Sequence, residues 1–195
     1  MNYAPGIDHI TLCVENLDAV AFLFTKVLGF EVLWSARDVG SDRSSMDTVV
    51  VQRGNAKVAL MQGRDKTVKS QINEFIEKYG QGVQHFALEV DDIDAACREW
   101  EVQGVQFSGP VKEGRDGFGP LKQRFTYPLF PSSGLFIELI QREHGAETAK
   151  TFVRSTVEAL YKDIERDQVS GCERTIIDYD SIPIPVEKKP LKQAS

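Results

Sequence analysis

Cysteine is scarce in this 195-residue chain: Cys13, Cys97 and Cys172 lie far apart and form no CxxC pair. An odd, scattered set of thiols excludes a disulfide-scaffolded domain and predicts reduced cysteines in a reducing compartment. No apolar run approaches the roughly 20 residues a membrane-spanning helix needs. The opening Met1–Gly6 has neither the basic nor the apolar region of a secretory leader, so a cytoplasmic location is expected. Positive charge is short as well: 23 Lys and Arg against 29 Asp and Glu give a net charge of −6. Such a surface repels nucleic acid and anionic lipid, and neither is expected as a partner. Histidine numbers only three, which makes its placement informative.

What is present is ordinary for a folded protein, with 42% hydrophobic and 27% charged residues, and the length suits either one domain or two small fused modules. An internal repeat favours two modules. Gly-Ile-Asp-His-Ile-Thr-Leu-Cys-Val-Glu-Asn-Leu-Asp-Ala from Gly6 to Ala19 recurs without a gap as Gly-Val-Gln-His-Phe-Ala-Leu-Glu-Val-Asp-Asp-Ile-Asp-Ala from Gly82 to Ala95. The two copies carry His9 and His85 at matching positions.

Alternation predicts a strand over residues 9–14, with Ile10, Leu12 and Val14 on one face and His9, Thr11 and Cys13 on the other. A helix follows, capped at Asn16 or Asp18 and running to Gly29. Strands are predicted over residues 30–34, 46–51 and 57–62, the first two separated by the polar stretch 35–45. This βαβββ module spans residues 1–64. Residues 65–80 form a linker helix, with Ile72, Phe75, Ile76 and Tyr79 on one stripe. The order then repeats over residues 81–145: a strand at 83–90, a helix at 93–103, and strands at 105–107, 122–127 and from 135 onward. The glycine-rich stretch 112–120 reads equally as a mobile lip over a site or as a plain hairpin connection. Residues 146–170 hold an amphipathic C-terminal helix suited to lidding a cavity. Residues 171–195 form an extended tail whose composition buries little. The fold class is α+β: two paired βαβββ modules in a curved mixed sheet around a metal site, plus the C-terminal helix.

Each leading strand packs its apolar face on its own helix, so His9 and His85 point the other way, into one concavity if the two sheets curl together. Glu138 lies in the apolar run Leu135–Ile140, where a carboxylate requires a partner. Two imidazoles and a carboxylate suit a divalent first-row metal, and an open set of this kind is typical of non-haem Fe(II) oxygenases. A lone histidine on a strand is more often a structural residue than a ligand, but the shared repeat position raises the prospect here. His144 falls outside the repeat and reads as an exposed turn residue. When the last strands of the modules are aligned, Ala59 falls opposite Glu138, which leaves three protein ligands and open coordination positions.

These residues resemble the vicinal-oxygen-chelate superfamily and, more closely, the C-terminal half of the 4-hydroxyphenylpyruvate dioxygenase family. The resemblance rests on Ile7-Asp8-His9, Ser44-Ser45-Met46, Lys69-Ser70-Gln71-Ile72, Gly82-Val83-Gln84-His85-Phe86-Ala87-Leu88, Gln123-Arg124-Phe125-Thr126 and Phe136-Ile137-Glu138-Leu139-Ile140-Gln141-Arg142. It implies Fe(II) held by His9, His85 and Glu138. It also implies a substrate pocket lined by Thr48, Gln71, Gln84, Gln123, Phe125 and Phe136, with the glutamines orienting substrate and the two phenylalanines sandwiching a ring. The implied partners are a small organic acid and O2, and a homodimer is an open expectation. Met61 and Thr48 stand where the family has an asparagine and a serine, and Gly145–Phe152 replaces its glycine- and phenylalanine-rich approach to a C-terminal gating helix. The expected substrate is accordingly a 2-oxo acid or small aromatic acid other than 4-hydroxyphenylpyruvate. Two alternatives stand beside this dioxygenase reading. One is another metalloenzyme of the superfamily, either a glyoxalase-like lyase or isomerase or an extradiol ring-cleaving dioxygenase. The other is a non-catalytic binding module.

Overall fold

The computed structural model describes residues 3–41, 44–64, 70–116, 119–142 and 174–179. Strand β1 (Tyr3–Cys13) leads into helix α1 (Leu17–Phe22) and then β2 (Glu31–Ser41), β3 (Ser44–Arg53) and β4 (Ala56–Gly63). Helix α2 (Gln71–Tyr79) follows, and the order repeats as β5 (Gly82–Val90), α3 (Ile93–Val102), β6 (Lys112–Asp116), β7 (Gly119–Phe125) and β8 (Phe136–Arg142). All eight strands form one sheet in the order β2-β3-β4-β1-β5-β8-β7-β6. The two leading strands meet antiparallel at its centre, while β4 runs parallel to β1 and β8 parallel to β5.

The same local chemistry starts both helices of the repeat. Asn16 caps α1 through a hydrogen bond from the Ala19 amide, and Asp92 caps α3 through one from Ala95. A glutamine from the last strand of each repeat then accepts from the first helical amide: Gln62 from Leu17 at 2.6 Å and Gln141 from Ile93 at 2.9 Å. These bonds tie each helix start to the parallel strand beside it. Leu17, Val20 and Phe24 cover Leu12, Val14, Leu60 and Val51 on one half of the outer sheet face. Ile93, Ala96 and Cys97 cover Leu88, Val90 and Leu139 on the other. Helix α2 lies on the inner face, where Ile72 and Phe75 pack on Cys13 and Met46. Covering one face with helices and leaving the other to curl creates the concavity.

The structure departs from expectation at several places. Helix α1 gives way at Leu23 to a π-helical turn through Val27, so the regular helix is shorter than its apolar pattern implies. The stretch 35–45 is largely strand, because β2 and β3 extend into a long hairpin. No strand forms at residues 105–107, where Phe107 makes only an isolated bridge to Thr126. Of the two readings of the stretch 112–120, the hairpin is the one the strands carry, with β6 and β7 paired from Lys112↔Gln123 to Asp116↔Gly119. Within the expected tail, Ile176 is buried and pins its neighbours to the second repeat: its carbonyl accepts from the Gln106 amide and its own amide donates to Pro128. Backbone pairing, to which composition is blind, holds it there. Residues 146–170, expected as a C-terminal helix, lie outside the described residues, as do His144 and Cys172.

Leu60 is fully buried beneath α1, on the face away from the concavity. Leu60→Ala is expected to lower unfolding free energy by about 2–5 kcal/mol in urea titration. A change below about 1 kcal/mol would contradict this packing.

Candidate metal centre

Three adjacent central strands supply the site: His9 from β1, His85 from β5 and Glu138 from β8. Their register decides which side chains meet. Ala87 on β5 pairs with both His9 and Glu138, so the two flanking side chains face each other across a single methyl group. His85, two residues before Ala87, projects from the same face. Register shifts in β1 lie on both sides of the stretch from His9 to Thr11; bulges of this kind re-aim side chains beside functional sites.

His85 and Glu138 are almost fully buried, and His9 is largely so. The Nε2 atoms of His9 and His85 lie 3.5 and 3.3 Å from Glu138 Oε2, and one donor atom from each of the three residues falls within 4.8 Å of the others. For metal–ligand bonds of about 2.0–2.2 Å, ligand atoms sit roughly 3.0–3.5 Å apart in octahedral or tetrahedral arrangements, so the two carboxylate–imidazole spacings fit a common cation.

The protons of both imidazoles are engaged elsewhere. His9 Nδ1 meets Asp8 Oδ1 at 2.8 Å, and His85 Nδ1 meets Gln84 Oε1 at 3.2 Å. Asp8 only accepts, so His9 donates through Nδ1; Gln84 Oε1 fixes His85 in the same way. Both Nε2 lone pairs then face a carboxylate oxygen. That convergence is repulsive unless a positive charge lies among the three atoms. Burial depresses the His85 pKa, against the opposing pull of Glu138, and so favours the neutral imidazole that ligates metals.

Behind His9, Asp8 anchors a buried ionic cluster. Arg142 Nε and Nη2 donate to its two oxygens at 2.6 and 2.9 Å, and Lys57 Nζ approaches at 3.4 Å. Burial works to raise the Asp8 carboxyl pKa, but the hydrogen bonds from His9 and Arg142 outweigh it and hold the carboxyl well below the usual carboxylate range. Asp8 and Gln84 occupy one repeat position, each just ahead of its histidine. That coincidence is the sequence signal that points to their common role.

Phe136 stacks on the His85 ring at 4.9 Å and 21°, and meets Phe125 edge-on at 5.8 Å. The two phenylalanines thus stand beside His85, with Phe136 buttressing its ring. Gln123 is buried on β7, on the same face as Phe125. Thr48 and Gln71 are buried toward the first-repeat side, and neither Thr48 Oγ1 nor Gln71 Oε1 has a hydrogen-bond partner among the described residues.

Asp8→Asn is expected to weaken divalent-metal affinity by about 10–100-fold in titration calorimetry, since the Asp8 carboxylate on His9 Nδ1 fixes that ligand's tautomer and basicity; an unchanged affinity would contradict the role. In the metal-free protein the depressed His85 pKa means that, as pH falls below about 6.5, the unfolded chain binds a proton the folded one refuses. Stability is therefore greatest above that pH and declines below it. A second decline follows below about pH 4 as Asp8 protonates in the unfolded chain. A urea midpoint that stays flat from pH 7 to 5 would contradict the first step.

Comparison with known proteins agrees with this geometry. The chain is 29% identical to 4-hydroxyphenylpyruvate dioxygenase of Yarrowia lipolytica, over 85% of this chain and 52% of the relative. It is 27% identical to the Caenorhabditis elegans protein of that name, over 91% and 54%. The chain thus spans about half the length of these curated relatives. A mutant of 4-hydroxymandelate synthase from Streptomyces coelicolor superposes with a TM-score of 0.73 at 29% identity, covering 84% of this chain and 55% of that one. Methylmalonyl-CoA epimerase from Mycobacterium tuberculosis superposes at 0.56 with 26% identity, covering 71% and 88%. The family model described as Glyoxalase/Bleomycin resistance protein/Dioxygenase superfamily matches residues 8–120, and to that superfamily this chain belongs.

Proposed function

We propose that the chain is an Fe(II)-dependent dioxygenase acting on a 2-oxo acid or a related small organic acid. The observation that carries this reading is the convergence of His9 Nε2, His85 Nε2 and Glu138 Oε2 with both imidazole protons engaged elsewhere. Similarity to 4-hydroxyphenylpyruvate dioxygenases and to 4-hydroxymandelate synthase supports an oxygenase over the superfamily's other chemistries. Bound there, Fe(II) would supply a chelation point for the acid and the redox capacity to use O2.

The protein's own contribution is position and dryness. Asp8 and Gln84 hold the imidazoles in the tautomer that turns Nε2 inward. Phe136, stacked on His85, restricts that ring and keeps water from its face. Ala59 pairs with Thr11 as Glu138 pairs with Ala87, so it occupies the position in β4 that Glu138 occupies in β8. A methyl group there supplies no fourth ligand, which favours an open site over the four-ligand glyoxalase arrangement. The likeness to an epimerase keeps one rival in view, a metal-dependent isomerase or lyase that uses no O2.

Protein reconstituted anaerobically with Fe(II) is expected to develop a weak visible charge-transfer band on adding a 2-oxo acid. Admitting air should then consume O2 and release CO2, and Glu138→Ala should abolish both responses. Turnover with Zn(II) or Ni(II) and no O2 uptake would overturn the dioxygenase reading in favour of the isomerase or lyase.

A further inference from the structure

Hydrophobic side chains that the fold leaves outside are not scattered. Eleven large ones are exposed among the described residues, and six of them, Phe22, Leu23, Val27, Leu28, Val32 and Leu33, fall within twelve consecutive positions. They belong to the end of α1, the π-helical turn that follows it and the start of β2. That turn contributes no buried residue. Its i→i+5 hydrogen bond, from the Leu28 amide to the Leu23 carbonyl, sets Leu23 beside both Val27 and Leu28. Arg53 holds the far end by donating to the Leu28 carbonyl. Val32 pairs with Val51, which lies beneath α1, so Val32 is on the helix side of the sheet. β2 is the sheet's margin, and residues 31–36 include neither the lysine nor the proline that ordinarily protects an exposed edge.

Single exposed apolar residues are ordinary, but a contiguous patch calls for a partner. At 39–64% exposure these six side chains present on the order of 500 Å² of apolar surface. Each partner of a standard interface buries about 800 Å², so the patch with its polar surround suffices for the core of one. Charge selects the partner. At −6 overall, two copies of the chain repel each other over most of their surface. Residues 19–36 are the exception, carrying only Lys26 and Glu31 and no net charge. Neither has an ion-pair partner among the described residues. The two charges flank Val27 and Leu28, so a two-fold axis near those residues sets each Lys26 against Glu31 of the partner subunit and the apolar side chains against their own copies.

We propose that this surface is the two-fold interface of a homodimer, cross-linked by two Lys26–Glu31 pairs. Helix α1 covers the sheet face opposite His9, so both concavities stay open in the dimer. Sedimentation equilibrium of the full chain at low salt tests it. Wild type should weigh twice the 21.8 kDa of one chain at about 50 μM, where an interface of this size is populated. Val27→Glu puts like charges near the axis and should raise the dimer dissociation constant at least about tenfold. Since Val27 is exposed, its replacement should leave the melting temperature and Co(II) affinity of the subunit as in wild type. Lys26→Glu and Glu31→Lys should each weaken the dimer about tenfold, and the two combined should restore it to within about twofold of wild type. A wild type that stays monomeric, growth beyond two copies, a dimer indifferent to Val27→Glu, single swaps without effect or a double swap no tighter than the single ones would each overturn the proposal. Should Val27→Glu lower the melting temperature, the charge swaps decide alone.

Discussion

Three electron-rich atoms, two imidazole nitrogens and one carboxylate oxygen, are driven together in a nearly dry region of this protein. In their neutral forms neither histidine has a proton to place among them, since Asp8 and Gln84 engage both Nδ1 positions. The folded state therefore contains a local repulsion that a bound cation relieves. The inward tautomers, the short spacings and the ionic cluster behind His9 all depend on that constraint.

Duplication is how the chain builds such a site at its middle. The repeat places its leading strands side by side, so the two histidines approach from a near-symmetric arrangement. The symmetry is then broken where chemistry requires it. Glu138 is opposed by Ala59, which removes a fourth ligand, and Asp8 by Gln84, which puts an anion behind one imidazole and a neutral amide behind the other. Asp8 is held by Arg142 and Lys57 from the last strands of both repeats, so the ionic cluster behind His9 also ties the two halves together.

Much of this was legible in the sequence because it follows from period and repetition. The gapless repeat located His9 and His85, and strand alternation turned both toward one concave face. The burial cost of a carboxylate singled out Glu138. What escaped depends on contacts that no period encodes. The shared repeat position of Asp8 and Gln84 hinted at a common role, but only side-chain geometry shows the Gln84 amide meeting His85. That Phe136 stacks on His85 and meets Phe125 edge-on required knowledge of which neighbour each ring packs on. Thr11 reads as an ordinary β-branched strand residue, although its buried hydroxyl has no partner among the described residues. Ile176 was missed because its segment docks through backbone hydrogen bonds, which a proline- and charge-rich composition conceals.

The most direct test of the central claim is an anomalous-difference map from crystals of the protein soaked in Co(II). One strong peak should lie about 2.0–2.2 Å from His9 Nε2, His85 Nε2 and a Glu138 carboxylate oxygen, with Asp8 and Gln84 still on the two Nδ1 atoms. A map with no peak there, or with Co(II) held by any other set of side chains, would contradict the account.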